Sequence, residues 1–164
     1  MILGGPSTHH RYSQANEQAL AEIAQHSASQ GLSVMVTGSR RTPQSTLAAV
    51  KAALASAPGK HFVWDGSGAN PYVAMLALAD FILVTGDSVN MMAEAAATGA
   101  PVHIYEPEGS HRKMTAYIDY LIASGAARRW SGTFDHGTYV PIDATPVIAD
   151  EIARRYLAWR VKRT

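Results

Sequence analysis

The sequence predicts an α/β fold, a three-layer Rossmann-like domain in which a parallel sheet of five or six strands carries helices on both faces. Short apolar runs bounded by Gly, Pro, Ser or Asp alternate with helical patterns along the 164 residues. Polar loops follow the strands at one rim of this sheet, whereas the loops at the opposite rim are short. We therefore expect residues 1–164 to form a single Rossmann-like domain with a binding site at the polar rim.

The predicted strands are short and apolar, which is typical of buried parallel strands. They comprise residues 2–3, 32–37, 61–64, 81–85 and 102–105, and a sixth strand is expected within residues 126–134. The predicted helices comprise residues 13–29, 43–56, 71–78, 88–98, 110–124 and 146–161. Ser13 suits an N-cap, Gly31 follows the first helix, and Pro43 suits a first helical turn. One side of the last helix is apolar, with Ile148, Ile152, Tyr156 and Trp159.

Composition excludes several classes of protein. The net charge of +1 predicts neither nucleic acid nor an anionic membrane surface as a partner. The absence of cysteine excludes disulfides and thiol chemistry. No metal-ligand spacing and no G-x-S-x-G motif is present, so we expect neither a metal site nor a serine nucleophile. Without a signal-peptide pattern or an apolar run of ~18 residues, the expected location is cytoplasmic.

Ligands of such folds bind beyond the carboxyl ends of the strands, in the loops that lead into helices. Here these loops read GGPSTHHRYS, TGSRRTP, DGSGANPY and TGDSVN, and they start at residues 4, 37, 65 and 85. The concentration of Gly, Ser, Thr, Asn, Arg and Asp at this rim predicts a site there. The third loop is the least generic, because a structural turn rarely needs so long a polar segment. Asp65, Asn70 and Tyr72 offer hydrogen-bonding groups within it.

In the first loop, Gly4 and Gly5 directly follow a strand and allow the backbone to approach a ligand closely, with Ser7 beside them. The loop is not G-x-G-x-x-G, and Pro6 removes an N–H donor. A nicotinamide or flavin dinucleotide enzyme is therefore not predicted. His9 and His10 are either loop histidines without a catalytic role or groups of the site, and His9 is the catalytic candidate.

Cationic side chains at the same rim predict anion binding. Arg40 and Arg41 lie together in the second loop beside Ser39, and arginine suits bidentate binding of phosphate or carboxylate. Arg112 and Lys113, at the start of the fifth helix, add cations on the same side.

The TGDSVN loop leads into a helix that offers a further anion site. With Asp87 or Ser88 as the cap, the free amides at Ser88 and Val89 point outward with the positive end of the helix dipole. A phosphate suits this position, although Asp87 would repel it at contact distance. Glu94 lies about one turn past Asn90 on the same helical face. It is either a solvent-exposed glutamate or an acceptor for paired sugar hydroxyls.

Several distinctive motifs occur in a single order: GGPSTHHRYS, SRRTP, FVWDGSGANPY, ALADFILVTGDSVNMMAEAAATGAPV and HRKM. In this order and spacing they resemble the C-terminal half of a bacterial and plant family named for mitochondrial fission, or elongated mitochondria. The resemblance covers nearly the whole chain. It implies that this chain is the second half of a two-domain protein and that the N-terminal domain is missing. This explains why a strand is predicted at the first residues.

That family in turn resembles two-domain glycosyltransferases of type B, whose C-terminal Rossmann-like domain binds a nucleotide-sugar without a metal. Residues 93–101 match the sequence pattern at the end of the corresponding helix in the lipid-linked peptidoglycan glycosyltransferases. Two departures are visible. Pro6 and Ser7 replace the Ser-x-Gly of the first loop, and Asp87 is an unexpected charge beside phosphates.

The resemblance implies a role for each matching position. Glu94 would hold the ribose hydroxyls, and Ser88 and Val89 would lie at the diphosphate. Val63 and Trp64 would lie at the base, and the glycine loop after the first strand would face the diphosphate or the acceptor.

The expected function is that of a nucleotide-sugar-binding domain of a metal-independent, glycosyltransferase-like protein, inactive by itself and without a resident cofactor. Its donor would be a nucleotide-diphosphate sugar, and its general base would be His9 or a group of the missing domain. A lipid-linked acceptor implies peripheral membrane contact, and the face left by the missing domain allows a homodimer. Two alternatives remain. One is a nucleotide-sugar epimerase or hydrolase that uses His9, Asp65 or Asp87, and the other is a non-catalytic interaction protein of the fission family.

Overall fold

The computed structural model describes residues 1–161, which form a six-stranded parallel sheet with six helices in alternation along the chain. The strands are β1 (Ile2–Leu3), β2 (Met35–Gly38), β3 (Phe62–Val63), β4 (Ile82–Thr85), β5 (Val102–Tyr105) and β6 (Ala127–Arg129). The helices are α1 (Gln14–Ser29), α2 (Gln44–Ala55), α3 (Tyr72–Leu78), α4 (Val89–Ala96), α5 (Arg112–Ala123) and α6 (Thr145–Val161). The predicted Rossmann-like α/β fold is confirmed, with the sixth strand inside the expected segment.

The strand order is β3-β2-β1-β4-β5-β6. The chain begins in the middle of the sheet, extends to one edge and then returns to build the other half. Ile2 of β1 pairs with Val84 of β4, so the loops after these two strands are neighbours although about eighty residues separate them. This boundary is the topological switch point, where ligands of open α/β sheets usually bind.

Side chains alternate between the two faces of the sheet. Leu3 and Leu83 pack under α1 and α2, whereas Ile2, Ile82 and Val84 pack under α4 and α5. All four residues of β4 are buried because both of its faces are covered. That double coverage is why the strand is a continuous apolar run.

Element boundaries shift by a few residues from the sequence prediction. Ser13 caps α1 as expected, and its Oγ accepts from the amide of Asn16. Pro43 precedes α2 as the N-cap and does not lie in its first turn. β2 begins at Met35 and not at residue 32, because the chain first leaves α1 through the left-handed Gly31 (φ 81°).

After β6, residues 130–136 return across the sheet and cover β5 on the face of α1 and α2. His103 of β5 is 1% exposed, and its ring lies 6.0 Å from Trp130 and 5.1 Å from Phe134 between centroids. The amide of Asp135 donates to its Nε2 (3.4 Å). Burial lowers the pKa of His103. The segment 130–136, here called the aromatic strap, therefore replaces a covering helix at this edge.

The last helix, α6, buries none of its residues. The apolar side predicted for it, with Ile148, Ile152, Tyr156 and Trp159, is at least half exposed at each position. Within residues 1–161, no helix is long and apolar enough to cross a lipid bilayer.

Candidate functional site

The loops at the carboxyl edge contact one another directly. The Gly4 amide donates to Thr85 Oγ1 (2.7 Å), which joins the loop after β1 to the end of β4. The Arg11 amide donates to the Glu108 carbonyl (2.8 Å), which joins the same loop to the one after β5. The predicted clustering of polar loops at this rim is therefore present.

Asp87 lies at the switch point, and its side chain is fully buried (0% exposed). Its carboxylate accepts from the Gly5 amide (3.0 Å), from the Tyr12 hydroxyl (2.8 Å) and from Arg41 Nη2 (3.2 Å). Burial, together with the negative charge of Asp87, raises the pKa of Tyr12, so the Tyr12 hydroxyl remains a donor. Asp87 thus faces into the protein, and its charge is offset by Arg41.

The sequence left Asp87 and Ser88 open as the cap of the helix after β4, and the structure selects Ser88. Ser88 is the N-cap of α4, and its Oγ accepts from the Met91 amide (3.5 Å). The first amides of α4, beginning with the exposed Val89, have no acceptor within the helix. The repulsion expected between Asp87 and a phosphate is reduced, because the buried carboxylate is directed toward Tyr12 and Arg41.

The two glycines after β1 are required by packing inside the protein. A Cβ on Gly4 would lie 2.1 Å from the carboxylate of Asp87, and a Cβ on Gly5 would lie 2.1 Å from the carbonyl oxygen of Arg41. Their amides already donate to Thr85 and Asp87. Neighbouring loops of the protein therefore make the close approach to this glycine loop that the sequence predicted. A contact between the glycine loop and a ligand stays a prediction.

The two arginines of the second loop have different environments. Arg41 Nη1 donates to the carbonyls of Gly5 (2.8 Å) and Pro6 (3.0 Å), while Nη2 contacts Asp87. Arg40 is exposed and has no hydrogen-bonding partner within residues 1–161. Ser39 Oγ accepts from the Arg41 amide (3.2 Å) and shapes the turn. Of the two cations, only Arg40 is fully available to an anion.

The loop between β3 and α3 is held by its own polar side chains. Asp65 Oδ1 accepts from the amide (2.9 Å) and hydroxyl (2.6 Å) of Ser67, and these bonds lower the pKa of Asp65. Trp64 Nε1 donates to the Ser67 carbonyl (2.9 Å). Asn70 Oδ1 accepts from the Tyr72 amide (3.0 Å). Asp65 and Asn70 thus order the turn, and half-buried Val63 and Trp64 precede it.

Glu94 is exposed on α4, and its Oε2 accepts from the Tyr72 hydroxyl (2.5 Å). Tyr72 is the first residue of α3, so it lies at the end of that helix nearest the rim. The contact therefore holds the carboxylate of Glu94 toward the rim, although Glu94 is the sixth residue of α4.

A second group of side chains surrounds the start of α5. The rings of His9 and His111 stack with centroids 4.3 Å apart. Arg112 and Lys113 follow as the first two residues of α5, and both are exposed. On the other side of His9, Ser7 Oγ accepts from the amides of His9 and His10 (3.2 Å each). The predicted cations thus lie beside His9, on elements that contact each other.

The sequence analysis assigned no role to four side chains that contact these loops, namely Tyr12, Thr42, Thr85 and His111, and it left the role of His10 open. Thr42 Oγ1 donates to the Gly4 carbonyl (2.6 Å). The pKa of His10 is lowered, because the effect of burial exceeds the opposing effect of the Asp87 charge. Only Thr85 carried a local signal, since a hydroxyl residue ends an otherwise apolar strand. The contacts of Tyr12 and Thr42 join segments far apart in sequence and have no local pattern.

The strand order, the switch point and the polar carboxyl rim define a Rossmann-like α/β protein with a candidate ligand site at the β1–β4 boundary. The profile of the family described as Mitochondrial fission ELM1 matches residues 1–156. The chain therefore belongs to the mitochondrial fission ELM1 family, as the sequence motifs predicted.

Two curated relatives are similar to the chain. One is "Mitochondrial fission protein ELM1" from Arabidopsis thaliana, 32% identical over 129 residues, which cover 77% of this chain and 30% of that protein. The other is "Uncharacterized protein RP120" from Rickettsia prowazekii, 30% identical over 132 residues, which cover 75% of this chain and 36% of that protein. The chain thus spans about a third of the length of these relatives. No solved structure matches it significantly.

Proposed function

We propose that this chain is the nucleotide-sugar-binding domain of a metal-independent, type B glycosyltransferase-like protein. The observation that carries the proposal is Glu94, an exposed carboxylate that Tyr72 holds toward the carboxyl rim, one to two turns from the start of α4. A carboxylate fixed beside the start of a helix suits a ligand that carries hydroxyls next to an anion.

The diphosphate is assigned to the start of α4 and to the available cations. The unpaired amides around Val89 and the helix dipole favour a negative group there. Arg40 is exposed at the same rim, and Arg112 and Lys113 are exposed on the side of α5. Asp87 is compatible with this assignment because its carboxylate is directed into the protein and paired with Arg41, which reduces its repulsion toward a phosphate. The glycine loop after β1 acts as a structural support for this rim.

The ribose and base are assigned to the side of α3. Glu94 would accept hydrogen bonds from two adjacent ribose hydroxyls, and carboxylate acceptors form the stronger class of hydrogen bond. Val63 and the ring of Trp64 lie at the end of β3 and the start of the following loop, where a base would pack. The hydrogen bonds that Asp65 and Asn70 accept from residues nearby in the chain keep this loop ordered before a ligand binds. This order lowers the entropic cost of binding.

In the longer protein, catalysis would consist mainly of positioning and of stabilising the departing nucleoside diphosphate. The dipole of α4 and the Arg and Lys side chains would supply that stabilisation. His9 is exposed beside the cations and is the candidate general base of this half. A lipid-linked acceptor would bring the protein to a membrane surface from the cytoplasmic side.

Calorimetric titration of the 164-residue chain with UDP, GDP and ADP and with their sugar conjugates, in the presence of EDTA, tests the proposal. We expect at least one nucleotide to bind without a divalent metal. Glu94→Ala removes hydrogen bonds to a charged acceptor and should weaken this binding by roughly tenfold or more. Glu22→Ala, an exposed glutamate on α1, is the matched control and should leave the affinity unchanged. If no nucleotide binds, or if Glu94→Ala binds as the unchanged chain does, the proposal is wrong.

A non-catalytic interaction protein is the second candidate, and the exposed apolar side of α6 favours it. The Arabidopsis relative is named for mitochondrial fission. A chain of this kind would bind a protein partner through α6 and would show no affinity for nucleotides in the same titration.

A further inference from the structure

The pair formed by Tyr72 and Glu94 joins two helices at the proposed ribose position. The residues are 22 positions apart, and the Tyr72 hydroxyl donates to Glu94 Oε2. The Tyr72 ring packs against the core under α4 and α5, and its amide is held by Asn70 Oδ1. The hydroxyl therefore has a fixed position, whereas an exposed glutamate by itself would populate several rotamers.

The direction of the hydrogen bond is fixed as well. Burial and the neighbouring Glu94 raise the pKa of Tyr72, so the phenol keeps its proton at neutral pH and acts as the donor. An ionised carboxylate offers about four acceptor positions, of which Tyr72 uses one on Oε2. Oε1 and the second position on Oε2 remain available. These two oxygens lie at a spacing that suits two adjacent hydroxyl groups of one sugar ring.

We propose that Tyr72 is a positioning residue that orients the Glu94 carboxylate for the 2′- and 3′-hydroxyls of a ribonucleotide, so that the site discriminates against 2′-deoxyribonucleotides. The inference rests on the function proposed above and deepens it. A carboxylate that is already oriented pays no ordering cost when a ribose binds. A 2′-deoxyribose provides one donor fewer and leaves one acceptor unused.

The test measures the ratio of dissociation constants for a nucleoside diphosphate and for its 2′-deoxy counterpart, by calorimetry on the 164-residue chain. We expect the unchanged chain to favour the ribonucleotide by roughly tenfold or more. Tyr72→Phe keeps the ring in the core and removes only the hydroxyl. It should weaken ribonucleotide binding about fivefold, because the released Glu94 side chain must then be ordered on binding. The deoxy analogue should be affected less, and the ratio should fall.

Tyr120→Phe makes the same chemical change at an exposed tyrosine on α5 and should leave the ratio unchanged. Thermal unfolding of Tyr72→Phe reports any loss of folding separately, and a purely structural role for Tyr72 would leave the ratio unaltered.

The outcomes separate the two proposals. If Glu94→Ala lowers the ratio but Tyr72→Phe leaves it unchanged or increases it, the inference about Tyr72 is overturned while the proposed function stands. If no ribonucleotide binds to the unchanged chain, the proposed function and this inference both fail.

Discussion

The buried carboxylate of Asp87 joins three loops of the candidate site. It accepts from the backbone of the first loop at Gly5, from Tyr12 ahead of α1, and from Arg41 of the second loop. Each of these donors would lose its acceptor if the carboxylate were removed. The arrangement explains why a negatively charged residue occurs next to a proposed phosphate site.

We predict that Asp87→Ala lowers the free energy of unfolding by about 2–4 kcal/mol, because Arg41 Nη2, the Gly5 amide and the Tyr12 hydroxyl all lose the carboxylate that accepts from them. Urea denaturation measures this change. Asp150→Ala removes an exposed aspartate from α6 and should change the free energy by about 0.5 kcal/mol or less. Equal effects of the two substitutions would show that Asp87 does not anchor the loops.

At the scale of elements, the loops at the polar rim are stabilised by side chains from neighbouring elements. Thr42 and Arg41 support the loop after β1, and Ser88 caps α4. The aromatic strap has the same role near the edge of the sheet, where it covers the face of β5 that is turned away from α4 and α5. It also buries His103, and this burial lowers the pKa of the imidazole.

We predict that the protein loses stability as the pH falls below about 6.5. The pKa of His103 is lowered in the folded state from an ordinary value of 6.5, so the unfolded chain binds the proton first as the pH falls. The stability associated with the neutral imidazole is present above that value and is lost progressively below it. His10 contributes in the same direction because burial also lowers its pKa.

Urea denaturation between pH 7.5 and pH 5 measures this loss, which for one histidine is at most about 1.4 kcal/mol per pH unit. His103→Leu should flatten the decline, whereas His26→Gln, at an exposed position on α1, should leave it intact. A decline that is identical in both variants would exclude His103 as its cause.

At the scale of the whole molecule, the hydrophobic core ends before α6. The two core clusters contain residues of the sheet and of α1 to α5, and Ile142 is the last residue packed against them. The apolar side of α6 is at least half exposed at each of its four positions. The helix therefore adds little to the stability of the sheet.

We predict that removing residues 145–164 leaves the midpoint of thermal unfolding within about 4 °C of that of the unchanged chain, because a loss of up to 1 kcal/mol corresponds to this shift. Circular dichroism would record the midpoint together with the lost helical signal. Removal of residues 130–164 is the control. It also deletes the aromatic strap and the Tyr139 hydroxyl that donates to the Ala96 carbonyl (3.0 Å), and it should lower the midpoint further. A large loss with the shorter deletion would mean that α6 packs on the body in solution.

The sequence by itself determined the fold class, nearly every element and the rim that carries the polar loops, because the period of the apolar residues and the local turn signals are encoded over short stretches. It also determined the family, through motifs such as FVWDGSGANPY and HRKM. Only the tertiary structure decided which polar residues are already paired. Asp87 accepts from Arg41 and from the Gly5 amide, and the Gly4 amide donates to Thr85, whereas Arg40 and one oxygen of Glu94 remain available. These pairings join residues up to about eighty positions apart, and no local pattern in a sequence records contacts that form only when β1 and β4 become neighbours in the sheet.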